Sequence, residues 1–225
     1  PHGLQPAPSA NCSKNAGSPA RADAAAWRRY VEPHLASTWL DAPWFFVETY
    51  FFRRLLAATG YSQPGGRRGV DPFTYQKKLA LDGALNLAAR LAGVGDTAAL
   101  LAASLWSNQI DLSLWPADSA DSAARADAVL GNKGRLLIDD TVSAGAALAA
   151  ASSVHLILDN AGSELVADLA LTSSLLTAGR QVKLHAKPHP TYVSDVTPAD
   201  LAGNAPRVLV GADELLRIAL SQDPE

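Results

Sequence analysis

VHLILDNAGSELVADLAL (154–171) and VKLHAKPHPTYVSDVT (182–197) are the stretches whose reading decides the fold. Each begins with an apolar, β-branched-rich run of strand length. Each run gives way to a polar turn that carries an acid, Asp159-Asn160 in the first and Asp195 in the second. Between them, 162–178 has helical spacing with Leu165, Leu169 and Leu176 on its inner face, and Gly179 stops it. A strand, a helix and a second strand in this order imply parallel pairing through a right-handed crossover. Working outward, RLLI (135–138) reads as a strand ending in Asp139-Asp140. A helix follows over 141–151, and RVLV (207–210) reads as a further strand. The class is α/β: a three-layer α/β/α doubly wound, mainly parallel sheet. Parallel strands deliver their carboxyl ends to one rim, where open α/β sheets bind ligands. Asp139, Asp140, Asp159, Asn160 and Lys187 are expected there, with Asp195 brought over by the loop that follows.

The half before this sheet reads as helical. Residues 1–21, rich in Pro, Ser, Gly and Ala, read as a flexible tail. Trp27, Tyr30, Val31 and Leu35 then give one apolar helix face. Asp41-Ala42-Pro43 reads as a helix start with Asp41 as cap. The helix WFFVETYFFRRLLAAT that follows is apolar on nearly all sides, so burial is expected, and Gly60 ends it. Asp71-Pro72 opens another helix to about Leu91, with Phe73, Leu79, Leu85 and Leu87 among its apolar positions. A further helix spans 97–106. The expected organisation is a tail (1–21), a helical region (22–130) and an α/β domain carrying the site (131–225), which can form one structural unit.

Composition narrows the function. A net charge of -3 with no basic block gives no electrostatic footprint for nucleic acid. The single cysteine, Cys12, excludes an intrachain disulfide and a cysteine-based zinc site. No apolar run approaches the ~20 residues that span a bilayer, and no signal-peptide core is present. A cytoplasmic location fits. The sequence contains no methionine, so its first residue is not expected to be a translation start. Gly-x-Gly-x-x-Gly, P-loop and Gly-x-Ser-x-Gly patterns are all missing, which counts against dinucleotide enzymes, P-loop kinases and serine hydrolases.

The rim residues have two readings each. Asp159-Asn160 offers hard oxygen ligands to a cation such as Mg²⁺ or Mn²⁺, or caps the helix that follows. Asp195 completes such a site with a second carboxylate, or is a turn residue in SDVT. Glu164 is a dipole-complementing acid in a first helical turn or a general base facing the site. Lys187 holds a phosphate or offsets developing charge, or is a solvated lysine. His185 and His189 lack the spacing of a zinc motif. The backbone at 161–163 adds an anion site in principle. Asn108 and Asp111, in WSNQIDLS, either satisfy buried backbone groups or line the cleft from the helical side. Asp139-Asp140 either caps the 141–151 helix, the expected role, or supports the site.

ILDNAGSELVADLAL, LHAKPHPTYVSDVT, SLWSNQIDLSLW, APWFFVETYFFRRLLAATG and DPFTYQKKLAL together, in this order, resemble the metal-dependent damage-control phosphatase family. The branch is the one also described as acidic-residue (protein-glutamate) methyltransferase-like. The resemblance covers roughly residues 22–200, and the Asp-Asn…Ser-Asp combination is its specific part. It implies helices packed on an α/β/α sheet domain. It implies a divalent metal, Mn, Co or Ni with Mg as an alternative, on Asp159, Asn160 and Asp195. These three are then the catalytic residues, and Asp159, Asn160, Lys187, Glu164 and Asn108 the substrate-binding ones. It also implies hydrolysis of phosphate monoesters of small metabolites, typically sugar phosphates such as fructose 1-phosphate. Family members continue past the Ser-Asp motif into a Lys-Gly-Asp-x-Asn-Tyr-Arg-like segment that contacts phosphate, whereas LAGNAPRVLVGADELLRIALSQDPE stands here. Two alternatives accompany the phosphatase: a shortened, non-catalytic metal- or ligand-binding relative, and an S-adenosylmethionine-dependent protein carboxyl methyltransferase.

Overall fold

The computed structural model describes residues 24–107 and 137–202. The chain divides into two compact units, Pro1–Pro72 and Phe73–Glu225. In the first, α1 (Ala24–Val31) runs into a single 3-10 turn and α2 (Trp44–Thr59) follows. Asp41 does not cap α2, as the sequence suggested. Its carboxylate closes its own turn by accepting from the Thr38 N–H and hydroxyl, at 3.3 and 2.7 Å, and Pro43 holds the cap position. Gly60 ends the helix in the left-handed conformation at φ 77°, and the Tyr61 N–H closes back on the Leu56 carbonyl.

The expected burial of α2 does not occur. Leu56 is its one buried residue, while Trp44 and Phe45 are about three-quarters exposed. The apolar side chains are used laterally instead: Phe46 stacks on Tyr50 at 5.6 Å, and Trp27 and Trp39 lie against the same Tyr50 at 5.7 and 5.9 Å. Tyr30 and Leu35, read as part of one apolar helix face, are exposed as well, and Leu35 lies past the end of α1.

The second unit carries α3 (Thr74–Leu91), α4 (Thr97–Ser107), α5 (Thr141–Ala150), β1 (Ser153–Ile157), α6 (Ser163–Thr177) and β2 (Gln181–His185). The strands pair in parallel with Val154 opposite Val182 and Leu156 opposite Leu184. This β1-α6-β2 crossover is the one read from the sequence, and with its helices the unit is of the α/β class. Alternate strand residues point inward, so Val154, Leu156 and Val182 join one cluster with Leu81, Leu87, Leu100, Trp106, Val166 and Leu171 from the three helices. Eight residues of α6 are buried. Leu165 and Leu169 are fully so, whereas Leu176, predicted on the same inner face, is only partly covered and Leu175 takes the core position.

The strand expected over 135–138 is not formed in its described part. Leu137 and Ile138 lie in bends and are exposed. Asp139 turns the chain there, its carboxylate accepting from the Thr141 N–H at 3.1 Å and hydroxyl at 2.6 Å. Asp140 holds the N-cap position without a side-chain cap bond, so the expected capping comes from Asp139 and not from Asp140. The strand expected over 207–210 lies outside the described residues. Among the described residues, no helix is long and apolar enough to cross a membrane.

Candidate active site

Hydrophobic burial brings the two acid-bearing turns together. The Leu158 N–H donates to the His185 carbonyl at 2.9 Å, carrying the ladder one residue past β1. The chain after β2 then folds back, and Asn160 and Asp195 form an isolated antiparallel bridge. The Ala161 N–H donates to Ser194, the Val196 N–H to Asp159 and the Lys187 N–H to Val196, at 2.6 to 2.9 Å. Under this clasp Leu158, Leu165, Leu169, Val196 and Leu201 form a second core cluster. The rim is thus fastened by backbone bonds over a buried apolar floor, and five expected residues, Asp159, Asn160, Glu164, Lys187 and Asp195, meet on it. Asn108 and Asp111 lie outside the described residues.

Each side chain has a defined partner. Asp195 is 2% exposed, and its Oδ2 accepts the N–H groups of Thr191 and Tyr192, both at 2.8 Å. Its other oxygen faces the Lys187 ammonium, which also pairs with Asp159 Oδ1. Asn160 is oriented from both ends: its Oδ1 accepts the Ser194 hydroxyl at 2.7 Å, and its amide donates to Glu164 at 3.1 Å and Asp159 at 3.3 Å. Carboxylates only accept, so this network fixes which end of the amide is which. The turn reading of Asp195 and the site reading hold together, one oxygen serving each.

Electrostatics follow from crowding acids at one helix start. Burial raises the Glu164 carboxyl to about 7; the bond from Asn160 works against this, while the charges of Asp168 and Asp159 add to it. Burial works against the Lys187 ammonium, but hydrogen bonds and charges from Asp159 and Asp195 outweigh it and leave its pKa above the ordinary lysine value.

Three supporting groups escaped the sequence reading. Ser194 was legible only as a neighbour of Asp195. Lys77, 3% exposed on α3, pairs with Asp200 at 2.8 Å, and Asp200 also accepts the Thr197 N–H and hydroxyl. That joint holds the end of the Asp195 segment to α3. Asp168, one turn beyond Glu164, is buried and accepts the Ser104 hydroxyl of α4 at 2.5 Å. Its signal was an acid inside the apolar run VADLAL.

Asp168 gives a testable pH dependence. Burial raises its carboxyl from 3.8 to about 6, against the Ser104 bond and with help from Asp159. The folded state therefore binds a proton that the unfolded chain has lost, and this contribution to stability declines as pH rises from about 4 through 6. Asp168→Asn keeps an acceptor for Ser104 and removes the titration. Its unfolding free energy should exceed wild type by about 3 kcal/mol near pH 8, the gap closing toward about pH 4. Urea denaturation at both pH values reads this, and a pH-independent gap would assign the effect to packing.

Among the described residues no group of three or more His, Cys, Asp and Glu converges as a ready-made cage. What converges is two carboxylates and an oriented amide. Comparison with known proteins bears out the family resemblance. The Damage-control phosphatase ARMT1 of Danio rerio is 29% identical over an alignment of 217 positions that covers 79% of this chain and 48% of the relative. The Mus musculus and Homo sapiens proteins of that name are 28% and 29% identical, covering 77% and 76% of this chain and 47% of each relative. The chain thus spans about half the length of the curated relatives it matches. The profile of the damage-control phosphatase ARMT1-like domain matches residues 8–224, and the chain belongs to that family.

Proposed function

We propose that this chain carries the metal-binding part of a metal-dependent phosphatase acting in the cytoplasm on phosphate monoesters of small metabolites, sugar phosphates of the fructose 1-phosphate kind among them. The observation that carries the reading is the convergence of Asp159 Oδ1 and Asp195 Oδ1 on one positive centre, the Lys187 ammonium. Two anionic oxygens that already share a cation fit a hard divalent ion. Asn160 is fixed beside them with its NH₂ toward Asp159 and its oxygen on Ser194, so it would ligate the ion only after its amide turns over. Asp159, Asn160 and Asp195 would hold Mn²⁺, Ni²⁺, Co²⁺ or Mg²⁺. Bound there, the ion polarises phosphoryl oxygens and lowers the pKa of water. Lys187 and the N–H groups of Gly162 and Ser163, at the start of α6, supply positive potential for a phosphate. Glu164, with a carboxyl near 7, is suited to accept a proton at neutral pH.

Phosphate release from a panel of sugar phosphates with Mn²⁺, Co²⁺ or Ni²⁺ tests this. Asp159→Ala is the informative variant, because the Asp159 side chain is about half exposed and its loss should cost at most ~1 kcal/mol of stability. Its rate should fall at least ~100-fold. Equal rates in wild type and variant would remove the assignment, and cation binding without hydrolysis on the whole panel would favour a ligand-binding role instead.

A further inference from the structure

We infer that Lys187 is an exchangeable counter-ion: it neutralises Asp159 and Asp195 in the metal-free protein and must leave that position for a divalent cation to enter. This rests on the metal-site reading above and adds to it the order in which charges occupy the site. Three oxygens surround the Lys187 Nζ: Asp159 Oδ1, Asp195 Oδ1 and the Asp159 carbonyl at 3.4 Å. The alternatives at each acid are already engaged. Asp195 Oδ2 is filled by two backbone N–H groups, and Asp159 Oδ2 receives the Asn160 amide. A cation shared by these acids therefore needs Asp195 Oδ1, which the ammonium holds, and meets Asp159 on the carboxylate that the same ammonium pairs with. Oxygen ligands of a first-row divalent ion lie at about 2.0–2.2 Å, so the ion and the ammonium would stand within van der Waals reach, like charges in a part-buried site.

The lysine is built to move. Its backbone is pinned by the Val196 carbonyl, but the side chain is one-third exposed and has a flexible four-carbon stem. Asp195, 2% exposed, cannot leave with it. Displacement transfers the positive charge from the acids to the solvent side of the rim, where an anion would dock. Cation entry and anion capture are then linked through one side chain.

Two measurements test the exchange. Calorimetric titration with MnCl₂ should show roughly tenfold tighter binding to Lys187→Gln than to wild type, since an opposing charge in contact with the ligands is gone. In wild type, acetylation of Lys187 read by peptide mass spectrometry should rise severalfold on adding Mn²⁺, with exposed Lys78 as the unchanged reference. The second readout uses the native chain and stands if the variant folds poorly. Mn²⁺ binding with Lys187 acetylation unchanged or reduced would overturn the exchange and leave the metal site standing. No Mn²⁺ binding to wild type would overturn both.

Discussion

Asp195→Ala is expected to abolish Mn²⁺ binding and also to lower the unfolding free energy by about 3 kcal/mol, unlike Asp159→Ala, which should affect binding alone. The difference follows from where the two acids sit. Asp195 is buried, and one of its oxygens satisfies the N–H groups of Thr191 and Tyr192. The two N–H groups that lose their acceptor are part-buried, and a buried donor left without one costs about 1–3 kcal/mol. The turn 191–194 would loosen, and with it Ser194, whose hydroxyl orients Asn160. Asp195→Asn separates the two roles. Its carbonyl oxygen can still accept from the turn, but its NH₂ then faces the Lys187 ammonium. Stability should lie between alanine and wild type, while Mn²⁺ binding should be lost as completely as in alanine. Urea denaturation and MnCl₂ calorimetry on the three proteins read both quantities. An alanine variant as stable as wild type would mean that the turn does not depend on this carboxylate.

The sequence made some of this arrangement legible and hid the rest for identifiable reasons. β1, α6 and β2 were readable because their apolar positions alternate or recur with the faces that neighbours in the same unit cover, fully on α6 and in part on the strands. The expectation failed at Leu137-Ile138 because a short apolar run carries no information on whether a neighbouring strand exists. The adjacent Asp139 satisfied the backbone locally instead. On α2 the apolar surplus was real, but rings stacking along the helix replaced burial. Asp41 had the right type and spacing for a cap, yet Thr38 offered a nearer pair of donors. At the rim, Asp159, Asn160 and Asp195 could be grouped from parallel topology and from motif order. Topology could not reveal that Lys187 would sit between the acids, or that Ser194 would settle the amide, because both depend on the fold-back of 194–196.

Gly162 is where backbone and packing constrain the site together, and Gly162→Ala should destabilise by about 3 kcal/mol or more. The sequence placed this glycine as the first residue of a helix, where alanine would be welcome. In the structure it precedes α6 at φ 98°, ψ −133°, a region that side-chain-bearing residues rarely enter. A Cβ there would also lie 2.9 Å from the Ala80 Cβ on α3, inside contact distance. The two penalties can be separated. Ala80→Gly removes the clash and leaves the dihedral strain, at a helix-propensity cost of about 1 kcal/mol on its own. The double variant should therefore recover part of the loss relative to the sum of the singles, and never all of it. Because the Leu165 N–H donates to the Asn160 carbonyl and the Val166 N–H to that of Gly162, relief by backbone movement at 162 would shift Asn160 as well. Gly162→Ala should weaken Mn²⁺ binding even though residue 162 contributes no side chain to the rim. Full recovery of stability in the double variant would leave the clash as the sole constraint. Stability within about 1 kcal/mol of wild type in the single variant would show that neither the backbone conformation at 162 nor the approach of α3 constrains this position.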